Sequence, residues 1–244
     1  MSLGINNNVL TEQGFFRLDE LMDSKCKLWD GVSFKTFEFN VVYNNEELFQ
    51  VELSNGNIMV CDKEYIPKML TNNEILPTLN PDFSLYSPYT CGLYASGLPD
   101  EDEYTITTTN LDVVNCTNFE NYIFENNQYK ITLREKFPDR YFVPINYSLH
   151  TKIYWLYGFL AGGYKLEDEC IVLNGNDTLL RNISLMLQTC GIQSNFYNNK
   201  LYILQKDLIR FGMFFDGDVL NIERDMSVGI VNIQKIDCEY TVNL

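Results

Sequence analysis

Two acidic clusters, Glu101-Asp102-Glu103 and Glu167-Asp168-Glu169, are the side chains whose type and spacing come nearest to a hydrolytic centre. Paired carboxylates can hold a divalent cation that activates water and steadies a leaving group. Three consecutive acids also describe a solvated charged turn, and that reading has the higher base rate. Cys26, Cys61, Cys91, Cys116, Cys170, Cys190 and Cys238 are odd in number and no two are close. They fit reduced thiols better than a disulfide framework or a Cys-x-x-Cys zinc site. His150 is the single histidine, which excludes mechanisms built on a histidine pair or a histidine-rich metal shell. It is expected as a solvated residue in the first turn of a helix. Lys130, Arg134, Lys136 and Arg140 form a local positive cluster and are the candidate contacts to nucleic acid.

The charge of the whole chain works against such contacts. Among 244 residues there are 18 Lys plus Arg and 33 Asp plus Glu, a net charge of −15. Residues 86–215 alone carry 10 basic and 14 acidic side chains. That argues against a protein whose task is to neutralise phosphates along nucleic acid, and rules out a simple DNA coat protein. With 45% hydrophobic and 14% aromatic residues the chain is not disordered, and its length suffices for a core without disulfide staples. No apolar run approaches the roughly 20 residues that cross a bilayer. The opening MSLGINNN lacks a charged segment followed by an apolar one, so an intracellular protein is expected, and the Asn-x-Ser/Thr sequons at Asn115, Asn146, Asn176 and Asn182 carry no weight.

The elements that must position these groups fall into three stretches. From residue 9 to about 70 the pattern is all-β: turn pairs at Asp30-Gly31, Asn44-Asn45 and Asn55-Gly56 separate short apolar runs. Phe49, Val51 and Leu53 alternate with Gln50, Glu52 and Ser54, so one face is expected buried and the other wet. A second β-like stretch, residues 230–242, comes only at the C-terminal end, and the two ends together suit one β domain with the middle inserted. That middle, residues 85 to 215, contains a repeat. Gly92 and Gly158, the EDE triplets at 101 and 167, and Asn110 and Asn176 all keep an offset of 66 residues. The Asn-Asn turns at 126 and 198 are offset by 72, so the second copy has gained residues. The gain falls in a helix at 178–188 with Leu179, Leu180, Ile183 and Leu187 on one side and Gly191 past its end. Small residues recur as Gly92, Ala95, Ser96 and as Gly158, Ala161, Gly162, a face that lets two helix backbones approach closely. A pseudo-twofold helix pair follows, and a chain that pairs with itself in this way is expected to be a monomer.

The stretches GLYASG (92–97) and WLYGFLAGG (155–163) resemble the two LAGLIDADG motifs of homing endonucleases, and residues 143–164 resemble the approach to the second motif in inteins of ribonucleotide reductases, particularly viral ones. NNNVLTEQGFFRLDEL (6–21), KLWDGVSF (27–34) and LFQVELSNGNIMVCDKEY (48–65) resemble the N-terminal splicing blocks of the Hint fold, and VGIVNIQKIDCEYTV (228–242) its penultimate C-terminal block. The resemblance implies an α+β architecture: a discontinuous all-β Hint-like domain (1–84 and 216–244) around a LAGLIDADG-like domain (85–215) of two αββ(α) repeats, about 86–145 and 148–215.

It also implies where the chemistry should lie, and there this sequence departs from the family. The nucleophile position falls at Ser2, with only Met1 ahead of it. The Thr and His of the second splicing block fall at Cys61 and Glu64, and the final His-Asn has no counterpart in the closing Thr241-Val-Asn-Leu244. The metal-binding acids that end the two motif helices fall at Gly97 and Gly163, so the Mg²⁺ of the family has lost its ligands and no cofactor or metal is expected. The expectation is an intein-derived homing endonuclease homologue inactive in splicing and in DNA cleavage, with double-stranded DNA binding weakened by acidic charge. Two other readings stand beside it: a DNA-binding module that no longer cuts, and an acidic protein that reuses the fold to bind a protein partner. Any of the three is expected to work without a membrane.

Overall fold

A computed structural model describes residues 2–22, 24–30, 33–37, 40–43, 47–64, 66, 78–96, 105–134, 140–213, 229–236 and 240–243. Among these the chain is mixed α and β, with four small antiparallel sheets and six helices.

Strands from both ends of the chain share one sheet. β1 (Ser2–Gly4), β6 (Asn40–Tyr43), β7 (Leu48–Leu53) and β8 (Ile58–Asp62) combine with β16 (Ile230–Ile236) and β17 (Tyr240–Asn243) in the order β16-β7-β8-β1-β17-β6. Leu3 lies opposite Val242 on one side and Cys61 on the other. A second sheet, β3-β2-β4-β5, is built from β2 (Asn8–Thr11), β3 (Gly14–Arg17), β4 (Lys27–Trp29) and β5 (Phe34–Thr36). Between β3 and β4 the one-turn helix α1 (Leu18–Leu21) contributes Leu18 and Leu21 to a core that also holds Leu3, Leu28, Val51 and Cys61. The Asp30-Gly31 and Asn44-Asn45 turns fall wholly or partly outside the described residues, whereas Asn55-Gly56 forms the tip of the β7–β8 hairpin.

The middle of the chain contains two related units. In the first, α2 (Pro88–Ala95) leads to β9 (Thr105–Thr108), α3 (Leu111–Cys116) and the hairpin of β10 (Phe119–Glu125) and β11 (Gln128–Leu133). In the second, α4 (Leu149–Ala161) leads to the hairpin of β12 (Lys165–Glu167) and β13 (Cys170–Asn174), then α5 (Asp177–Thr189), β14 (Ser194–Tyr197), β15 (Lys200–Leu204) and α6 (Gln205–Ile209). The sheets run β10-β11-β9 and β12-β13-β15-β14. Asn110 and Asn176 are equivalent N-caps: each side chain accepts the amide two residues on, satisfying a backbone donor that the helix leaves free. The Asn-Asn pairs at 126 and 198 form two-residue turns with positive φ at both positions, which asparagine tolerates better than most residues.

Two features differ from the sequence expectation and one follows it. The first unit has a second helix, α3, shorter than its counterpart by about two turns' worth of residues, and the 66-to-72 change of offset is absorbed in that difference. Glu167-Asp168-Glu169 is the charged turn favoured from the sequence: it closes the β12–β13 hairpin, with Asp168 and Glu169 at φ 46° and 68°. The repeat register also slips by one residue in the strands. Ile106 turns toward the helices, whereas Val172, 66 positions later, turns away from them and its neighbours Ile171 and Leu173 enter the core. With a period of two, a one-residue shift exchanges the faces.

Candidate functional site

α2 and α4 cross through their glycines. A β-carbon on Gly92 would collide with the carbonyl oxygen of Trp155 and lie 2.9 Å from the Phe159 nitrogen. A β-carbon on Gly158 would collide with the carbonyl oxygen of Tyr89 and lie 3.0 Å from the Leu93 nitrogen. Trp155 and Phe159 are the 66-residue equivalents of Tyr89 and Leu93, so each helix meets the other through the same surface. At the C-terminal ends Ser96 Oγ fills the space beside Gly162, again an equivalent pair. The stripe of small residues thus does what its spacing predicts.

Of the two positions where the resemblance puts metal-binding acids, Gly97 lies outside the described residues and Gly163 is exposed at the end of α4. Its φ is +139°, a conformation that side chains rarely adopt, and nothing lies within 4 Å of where a β-carbon would stand. Among the described residues the helix ends present Ser96, Gly162 and Gly163, which do not fit a Mg²⁺ ion. Glu101, Asp102 and Glu103 lie outside the described residues; Glu167 pairs with Lys200 at 3.3 Å. No cluster of His, Cys, Asp and Glu suited to a metal occurs among the described residues.

The positions aligned with splicing chemistry lie on adjacent strands. Ser2 is opposite Asn243 between β1 and β17, and Cys61 lies one strand over on β8, opposite Leu3. Cys61 is fully buried in the core of the β domain, and burial, helped by the charge of Asp62, pushes its thiol up to about 11. A protonated thiol in an apolar core is a packing group rather than a nucleophile. Glu64 is exposed in the turn after β8. His150 sits in the first turn of α4, exposed, its ring 4.3 Å from that of Tyr154.

Three of the four basic candidates lie among the described residues. Lys130 is on β11 between Ile131 and Tyr129, opposite Ile123 on one side and Thr107 on the other, so it faces away from the helix-packed side of Ile131. Arg134 donates from Nε to the Phe119 carbonyl at 2.7 Å, and Arg140 lies over the Tyr94 ring of α2. Lys136 lies outside the described residues. In the second unit the corresponding outward face of the sheet is closed at Cys170, Val172 and Leu204, which are buried together beside Tyr202.

Sequence reading missed a seam between the β-rich part and the second unit. Arg181 on α5 pairs with Glu52 and with Asp177, each at 2.8 Å, donates to the Gly56 carbonyl, and stacks over Phe196. Its pKa is raised: burial opposes the charge, but the two carboxylates outweigh it. Ser184 Oγ donates to the Asn55 carbonyl, the side chains of Asn57 and Gln188 bond each other, and Phe196 N–H donates to the Ser54 carbonyl at 2.6 Å. Asn146 holds Phe15 from both sides, accepting its N–H and donating to its carbonyl. Glu52, expected to face water, faces Arg181, and the Ser54 hydroxyl accepts from the Gly229 N–H; alternation in sequence distinguishes polar from apolar surroundings, not water from a polar neighbour.

Lys152 on α4 is buried, donating from Nζ to the Leu79 carbonyl and to Thr189 Oγ1, and burial lowers its pKa. The described cysteines are free thiols, and none of the described helices is long and apolar enough to cross a membrane.

No family model matches the chain. The ribonucleoside-diphosphate reductase large subunit of invertebrate iridescent virus 6 is 27% identical to it over 241 residues, a match that covers 76% of this chain and 24% of the viral protein. The chain thus matches about a quarter of the length of that relative.

Proposed function

We propose that the chain is an intein-derived homologue of LAGLIDADG homing endonucleases that neither splices nor cleaves DNA. The observation that carries this reading is the reciprocal glycine contact of α2 and α4, set between strands that belong to one sheet. A pseudo-twofold helix pair inside a divided β domain is what an endonuclease lodged in a splicing domain requires. The viral reductase subunit, larger than this chain and similar to it in one part only, supports a host of that kind.

The chemistry that the resemblance demands is the part this chain lacks. Splicing needs a histidine to protonate the scissile amide, and Glu64 stands in that place. The step is built on an imidazole, which a carboxyl side chain does not supply. Cleavage needs an acid at each helix end, and Gly163 supplies none. DNA contact through Lys130, Arg134, Lys136 and Arg140 is weak in this reading, because the acidic surface opposes a polyanion.

The test joins two assays. Fusion of extein sequences to both ends is expected to give no ligated product by mass spectrometry, and purified protein with Mg²⁺ is expected not to nick plasmid DNA. Metal-dependent nicking that disappears on replacing Glu101 or Glu167 would overturn the reading by showing that the catalytic acids have moved.

A further inference from the structure

The two units differ in what covers the outer edge of their hairpins. In the second unit β14 is the edge strand, and Phe196 N–H points outward to the Ser54 carbonyl while the Phe196 ring packs against Gly56 beneath Arg181. The Asn-Asn turns place Phe124 on β10 as the equivalent of Phe196, 72 residues earlier, and Tyr122 as the equivalent of the buried Ser194. Backbone groups of alternate residues point to the same side of a strand, so Phe124 and Tyr122 turn their N–H and C=O groups outward, up to the β-bulge at Glu120 where the register shifts. Among the described residues no strand pairs with that edge. Tyr122, Ile123 and Phe124 are 47%, 57% and 56% exposed, and Tyr122 and Phe124 pack with Tyr129 into an aromatic cluster at the rim of the sheet.

From Asn121 to Glu125 the edge is regular, aromatic and without Lys or Pro to block it, a template for strand addition. The second unit indicates what the occupant must bring. There the cation of the seam, Arg181, belongs to the repeat unit, and the hairpin supplies Glu52. In the first unit the residue equivalent to Arg181 is Asn115, α3 carries no basic residue, and the charged side chains of β10 are Glu120 and Glu125. The polarity is reversed, so the matching strand must supply the positive charge. We propose that the outer edge of β10 is a docking site for a protein segment that adds as a strand, with apolar side chains beside Tyr122 and Phe124 and Lys or Arg beside Glu120 and Glu125. This binding function is independent of the endonuclease-derived reading. A second copy of the chain fits less well, because it would bring more acidic surface to an acidic edge.

The test uses the full chain and three synthetic nine-residue peptides: Lys-Thr-Val-Thr-Val-Thr-Val-Thr-Lys, the same peptide with proline at its centre, and the same peptide with glutamate at both ends. Binding is followed by backbone amide NMR and hydrogen exchange. The lysine-ended peptide is expected to bind and to slow exchange at Phe124 and Tyr122 at least tenfold, with the other two peptides at least tenfold weaker. Phe124→Lys, at an exposed position that folding tolerates, is expected to weaken binding at least tenfold, and Tyr122→Pro, which removes an outward donor, should do the same. No binding at millimolar peptide, equal binding of the proline peptide, or perturbations away from β10 would overturn the proposal. So would a wild-type dimer in sedimentation that Phe124→Lys converts to monomer, since the occupant would then be a second copy.

Discussion

Gly92 and Gly158 each sit where a β-carbon would strike the backbone carbonyl oxygen of the opposite helix, at Trp155 and Tyr89 respectively. The obstruction is backbone rather than a movable side chain, so relief requires the helices to separate. Either glycine replaced by alanine gains up to about 1 kcal/mol of helix propensity but loses more through overpacking. A net destabilisation of about 2 kcal/mol is expected in denaturant titration, against less than about 0.5 kcal/mol for Gly175→Ala, whose β-carbon would make ordinary contact with Leu180.

Arg181 joins two carboxylates, a carbonyl and an aromatic ring across one seam. It is partly exposed, so its removal costs less than breaking a fully buried pair; about 2 kcal/mol is expected for Arg181→Ala. Faster hydrogen exchange at Phe196 and in the 53–57 hairpin should accompany the loss. Unchanged exchange there would mean that the other seam contacts, from Ser184, Gln188 and the Phe196 N–H, hold it without Arg181.

Asn146 satisfies both backbone groups of Phe15 with one side chain. Asn146→Asp keeps the acceptor but loses the donor, leaving the Phe15 carbonyl facing an anion. We expect it to be at least as destabilising as Asn146→Ala, each by about 1–2 kcal/mol in thermal or chemical unfolding.

The Cys61 thiol, raised to about 11, gives a pH signature. Because the folded value lies above the unfolded one, the stability linked to this proton is complete below about pH 8.5 and is lost as pH rises through 11. Unfolding free energy measured from pH 8 to 11 should therefore fall more steeply in wild type than in Cys61→Ala. At pH 8 iodoacetamide should label exposed Cys116 and spare Cys61 until denaturant is added.

Gly163→Asp, the simplest way to return a carboxylate to the end of α4, meets a backbone at φ +139°. Strain of this sort costs on the order of 1–3 kcal/mol. The variant is expected to be less stable than wild type, and calorimetry should detect no Mg²⁺ binding from this single acid.

The internal repeat was legible because its markers are residues with narrow backbone uses: Gly92 and Gly158 at a helix crossing, Asn110 and Asn176 at helix starts, paired asparagines at hairpin turns. The pairing of the chain's two ends in one sheet was legible from where the alternating apolar runs fell. α3 was not, since its six residues include two valines side by side and too few turns for a helical period to declare itself. β12 was hidden because its turn uses Asp168 and Glu169 at positive φ in place of glycine or asparagine. At the candidate site, Gly163 could be found from the motif, but its φ could not. The seam at Arg181 was invisible for a different reason: its partners across the seam, Glu52 and Gly56, lie more than a hundred residues away, and no local pattern encodes such a distance.

The sheet that contains β1 and β17 also sets an order of events in folding. Leu3 can meet Val242 only when nearly the whole chain has looped back, and the entropy of closing a loop grows with the logarithm of its length. If the two repeat units collapse first, mostly through contacts within each unit, they shorten the effective loop. A tenfold shortening lowers the closing cost by about 2 kcal/mol. The β-rich part should then complete last, as a slow phase that follows the burial of Trp155 and precedes the docking of no other element.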